Sequence, residues 1–137
     1  MMAEGLPRAL RAIAGITAAT GFVQMVRPQL VLGELTGDHA PLARHLFGTV
    51  GMFMTVAGAT LHRSVAVPEP DRDLLRWAAV EKLGASTAVA IGVRRGLFSK
   101  RAIPVALFDL ASAAACLAYS AQLSRAGGAQ ALDGTEA

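Results

Sequence analysis

Residues 102–123 read AIPVALFDLASAAACLAYSAQL, a stretch of about twenty residues in which Asp109 is the one charged side chain. A helix of that length is roughly 30 Å long at 1.5 Å per residue, which matches the hydrocarbon thickness of a bilayer. Three further stretches of similar length precede it, at about 6–26, 41–61 and 74–93. The chain therefore reads as an all-α integral membrane protein, a single membrane domain of four helices with a flexible tail over 125–137.

Punctuation between the stretches supports that division. Arg27-Pro28 ends the first helix, because proline disfavours helix at the residue before it and cannot continue the backbone ladder. Residues 29–40, with Gly33, Gly37 and Asp38, read as a loop. Pro41 suits the first turn of the second helix, and Pro68 and Pro70 mark a polar connector before the third. Arg94-Arg95-Gly96 combines last-turn cations with a glycine stop. Short connections impose up-down-up-down order on such a bundle. A soluble bundle would need charged stripes on its outer faces, and residues 103–120 hold a single charge.

Composition narrows the function classes. The chain has 137 residues, is 53% hydrophobic and only 5% aromatic, and has 14 glycines; its mean hydropathy is +0.45. Small residues of this kind let helices approach closely in lipid, and Gly48, Gly51, Gly58 and the run Gly84-Ala85-Ser86 are the expected contact points. The net charge of +3 comes from scattered arginines with no basic run, so nucleic acid is not an expected partner. The lone Cys116 excludes an internal disulfide or a C-x-x-C pair, and no metal or other cofactor is expected. Arg8 and Arg11 ahead of an apolar run resemble a signal peptide, but the three later stretches favour an uncleaved first helix in a multi-pass inner-membrane protein. Six cations fall on each side of the expected bundle, so the positive-inside rule does not choose an orientation.

Ionisable residues inside the apolar stretches are the candidate functional groups. Measured from the side bearing the termini, Arg11 lies about 7 Å deep, Glu81 and Lys82 about 10 to 12 Å, and Tyr119 about 6 Å. Trp77 and Glu81 share a helix face by their i, i+4 spacing, and Asp109, Ser112, Cys116 and Tyr119 form a polar line on the last helix. Asp109 falls in a second layer with Arg44 and His45, near Gln24. A Lys82–Asp109 bridge is disfavoured, because side chains of antiparallel helices lean toward opposite ends and the expected axial gap is about 8 Å. Glu81 is therefore expected to pair with Arg11 or Lys82, and Asp109 with Arg44 or His45.

These layers admit three uses. Ion pairs can hold helices in register; carboxylates in an apolar bundle can exchange protons with a lipophilic ligand; or both layers can form an ion or proton path. The preferred reading is a lipophilic small molecule bound between the helices, with cofactor-free acid/base chemistry such as isomerisation, cyclisation or epoxide opening. Glu81 and Asp109 would be the catalytic groups, with Arg11, Lys82, Tyr119, Arg44, His45 and Trp77 tuning or binding. The alternatives are a non-catalytic subunit with a membrane-protein partner, a homo-oligomer, or a small transporter.

Arg8 and Gly15, then Pro28 and Gly33, Arg44 with Gly48 and Gly51, the run Glu81-Lys82-Leu83-Gly84, and an acidic residue in the last helix together resemble the DoxX-like group of small bacterial four-helix membrane proteins over about residues 6–123. The resemblance implies a four-helix bundle and, for some relatives, an accessory role beside redox enzymes. It transfers no catalytic residue, and the absence of a cysteine pair argues against direct thiol chemistry.

Overall fold

Buried positions recur at alternating intervals of four and three along the first and last long helices, and these two lines run through the centre of the fold. In a computed structural model, which describes residues 5–36 and 40–133 with side chains to residue 128, five helices form: α1 (Gly5–Val26), α2 (Pro28–Leu35), α3 (Pro41–Ala66), α4 (Arg72–Arg94) and α5 (Ile103–Asp133). A 3-10 turn, Lys100–Ala102, leads into α5. There is no strand among the described residues. The buried line is Leu10, Ala14, Thr17, Gly21, Gln24 on α1 and Ala102, Ala106, Asp109, Ala113, Cys116, Ser120 leading into and along α5. Such spacing keeps one narrow seam facing its partners. Here the seam consists mostly of Ala, Gly, Ser and Thr rather than Leu.

Small seams allow backbone-to-backbone approach, and α1 and α3 use it most. A Cβ added to Gly21 would lie 2.6 Å from the Thr55 amide nitrogen, and one on Gly58 would lie 2.5 Å from that of Ala18. Gly51 is equally tight against the Gly21 carbonyl, at 2.6 Å. Gly48 makes only ordinary contact, and Gly84 faces open space, so the expected glycine contact on α4 does not form. Gln24 adds a polar tie, donating from Nε2 to the Phe47 carbonyl at 2.9 Å.

The contacts run antiparallel, α1 along α3 and α4 along α5, giving two intimate helix pairs. Lighter contacts join the pairs through α1 with α5 and α3 with α4. Leu10, Leu61, Val65, Leu75, Ala113 and Cys116 form the apolar core at the end where α1 begins and α3 finishes. At the opposite end, Gly96 adopts φ +71° while the Leu97 amide donates to the Gly92 carbonyl and the Gly96 amide to Val93, a left-handed cap that only glycine enters without strain. Phe98 then folds back over Gly92.

Several expected boundaries move. The first loop re-enters helix as α2, because Pro28 ends α1 yet is favourable as the first residue of a new helix; Gly37 and Asp38 lie outside the described residues. Helix α4 starts at Arg72 because the Asp71 carboxylate caps it, accepting from the Asp73 and Leu74 amides at 2.9 and 3.1 Å. The expected flexible tail is helical through Asp133, and residues 134–137 lie outside the description. Two helical stretches, Gly5–Val26 and Lys100–Gly128, are long and apolar enough to cross a membrane.

Gly58→Ala should lower thermal stability in detergent by about 1 to 3 kcal/mol, since a methyl group there meets backbone rather than a movable side chain. Gly84→Ala should be neutral or stabilising by up to about 1 kcal/mol through helix propensity alone. Equal losses in the two variants, measured by thermal unfolding, would contradict the packing described.

Candidate functional site

Lys82 occupies a seam position on α4 and Asp109 one on α5, so both side chains are turned inward by the repeat that packs the helices. Lys82 Nζ donates to Asp109 Oδ1 at 2.9 Å. Lys82 also lies 3.8 Å from Glu81 Oε2. The Lys82 side chain is 3% exposed and that of Glu81 is 40% exposed. One ammonium thus stands between two carboxylates, well matched with Asp109 and loosely matched with Glu81.

The Lys82–Asp109 pair corrects the expected layering. Ser86 Oγ donates to the Ala106 carbonyl at 2.8 Å, and Ser120 Oγ to that of Arg72 at 3.5 Å, which places Lys82 level with Leu110, beside Asp109. The axial gap inferred from sequence is therefore closed. It arose from assuming that α4 and α5 begin and end flush, whereas α5 overshoots the start of α4 by several turns. Lean of the side chains is overcome by the long, flexible lysine stem.

Other expected partners separate. Arg11 does not pair with Glu81; its guanidinium donates to the Val65 carbonyl at 3.2 Å, at the end of α3. Arg44 and His45 form no ion pair with Asp109 among the described residues and instead line a separate cleft with Met25, Pro28 and Met52. Tyr119 packs half-buried against the apolar core. Cys116 is buried in that core. Among the described residues, no group of three or more His, Cys, Asp or Glu is arranged to hold a metal ion.

Two clefts meet at Lys82, one in each of the lighter seams. The first, about 230 Å³, lies between α3 and α4 and is lined by Thr17, Gly58, Leu61, Trp77, Glu81 and Lys82 among others. The second, about 270 Å³, lies between α1 and α5, where Ile16, Thr17, Met54, Lys82, Phe108 and Asp109 form much of the wall. Thr17 and Lys82 belong to both. Thr17 is 2% exposed, and its hydroxyl has no hydrogen-bond partner. An unmatched buried hydroxyl costs about 1 to 3 kcal/mol, so it marks a place where a polar atom of another molecule would be favourable.

Sequence reading overlooked Thr17. The sign available was its place in the line Leu10, Ala14, Thr17, Gly21, Gln24, whose alternating spacing puts it at the centre of a seam. Comparison of the chain with protein families, with curated proteins and with solved structures finds no match. The cluster itself consists of a buried cation held by one carboxylate, a second carboxylate lining an apolar cleft, and a buried hydroxyl without a partner on a residue shared by both clefts.

Removing one member of the buried pair leaves the other charge unmatched, so Lys82→Met or Asp109→Leu alone should cost about 3 to 5 kcal/mol. The double substitution should lose clearly less than the two single losses together. Arg11→Gln and Glu81→Gln should instead be additive to within about 0.5 kcal/mol. Unfolding in detergent reads both cycles, and additivity at Lys82 and Asp109 would refute the pairing.

Proposed function

We propose that this chain is a multi-pass inner-membrane protein, a four-helix bundle that takes a lipophilic small molecule into the clefts between its two helix pairs. The membrane reading is supported by the two long apolar helices and by large apolar side chains turned outward on every long helix, among them Phe22, Phe53, Val56, Trp77, Leu107 and Leu117. Water would penalise such faces and lipid would not.

The observation that carries the ligand reading is the first cleft, where Glu81 is the carboxylate in an otherwise mostly apolar wall. Glu81 serves as the acid/base group, exchanging a proton with a bound molecule in cofactor-free chemistry of the isomerisation, cyclisation or epoxide-opening type. Lys82 holds the electrostatic balance of the site, and Asp109 acts as the counter-ion of Lys82. Trp77 forms part of the apolar wall. A second reading, a DoxX-like accessory subunit without catalysis, is favoured by the Lys82–Asp109 pair, which suits a purely register-setting role between α4 and α5.

Both readings share a topology that reporter fusions test. Fusions at either terminus and in residues 67–71 should report one side of the membrane, and a fusion in residues 95–99 the other; opposite signals from the two termini would refute the four-span arrangement. In a deletion strain complemented with variants, Glu81→Gln should accumulate normally yet lower conversion, followed by mass spectrometry of membrane extracts, by at least about 100-fold. Asp109→Asn should instead reduce abundance. Full function in a normally expressed Glu81→Gln variant would refute acid/base catalysis and leave the accessory reading.

A further inference from the structure

The charge balance of the first cleft selects a class of ligand. Glu81 and Lys82 are its charged wall residues, and the ammonium of Lys82 is already matched at 2.9 Å by Asp109, which faces the second cleft. The Glu81 carboxylate, 3.8 Å from that same ammonium, is left with a surplus negative charge directed at apolar surroundings. An anion would meet that surplus and be repelled. A neutral molecule would bring no counter-charge to it.

Trp77 lies one turn before Glu81 on the same helix face, lines the same cleft and is 72% exposed. An indole face attracts organic cations, most strongly where water is excluded. Thr17, across the cleft, also lines it, and its buried hydroxyl has no hydrogen-bond partner. A carboxylate and an indole ring in a mostly apolar wall together suit a positively charged nitrogen carried on a hydrophobic body.

We infer that the cleft between α3 and α4 binds hydrophobic organic cations, amines or quaternary ammonium compounds, with Glu81 as the counter-ion and Trp77 as the ring against which the cation packs. This rests on the reading of the cleft as a site for lipophilic molecules and names the class it takes. Lys82, locked by Asp109, sets the depth to which the cation enters.

Benzyltrimethylammonium and neopentylbenzene have the same shape and differ in one atom, a charged nitrogen against a neutral carbon. Equilibrium dialysis of the purified full-length chain in dodecyl maltoside, corrected with protein-free micelles, gives the affinity for each. Emission of Trp77, the sole tryptophan, gives a second readout. The cation should bind saturably and about tenfold more tightly than its isostere, and Glu81→Gln should remove that difference while Glu81→Asp keeps it. Trp77→Leu, at an exposed position where folding is not at stake, should weaken the cation by about two- to fivefold more than it weakens the isostere. Equal affinity for the two probes, or cation affinity unchanged in both Glu81→Gln and Trp77→Leu, would overturn the inference while leaving a lipophilic cleft in place. Saturable binding of neither probe would overturn both.

Discussion

The buried contact between Lys82 and Asp109 is the constraint on which the rest of the molecule depends. Two opposite charges placed on facing seams fix the register of α4 against α5, because a shift of one turn would strand both. The same contact divides the interior. Its cation is matched closely by Asp109 at 2.9 Å and only loosely, at 3.8 Å, by Glu81, the residue before it on α4. The geometry and the charge balance at the centre of the chain follow from a single ion pair and its asymmetry.

Around this pair the two helix hairpins differ in how they cohere. The α1/α3 pair is held by backbone proximity at Gly21, Gly51 and Gly58, an arrangement that admits almost no sliding. The α4/α5 pair relies more on polar contacts: Lys82 with Asp109, Ser86 with Ala106, and Arg72 with Ser124. Between hairpins the contacts are sparser, and there the clefts open.

Much of the architecture was legible in the sequence because it depends on local signals. Prolines 28 and 41, the Gly96 stop and the length of the apolar runs placed the long helices to within a few residues at most ends. The short α2 escaped notice since Pro28 reads as a terminator when it also begins a helix, and the extension of α5 escaped because a Gly/Ala-rich stretch gives weak evidence either way. Site geometry was less accessible. Helix-to-helix register depends on how far each helix overshoots its neighbour, which no local signal records; an error of a few residues there sent Asp109 to Arg44 or His45 and admitted Arg11 as a partner for Glu81, while the alternative partner, Lys82, does lie 3.8 Å from Glu81. Trp77 with Glu81 was legible, being a matter of spacing within one helix, whereas Thr17 becomes visible only when the alternating four-and-three repeat is followed along α1.

The connection between α4 and α5 has a wider consequence. Ser99 donates from its amide to the Leu35 carbonyl at 2.7 Å and from its hydroxyl to that of Glu34 at 3.3 Å, while Arg101 reaches the Glu34 carboxylate at 2.7 Å. These contacts clasp the end of α2 and so fasten one hairpin to the other at the end opposite the apolar core. With the hairpins held at both extremities, the central clefts open sideways through the seams. Were the bundle to span a bilayer as proposed, such openings would face the acyl chains, and occupancy would follow a compound's concentration within the membrane rather than in the surrounding water. A weak intrinsic affinity would then suffice for any molecule that partitions strongly into lipid.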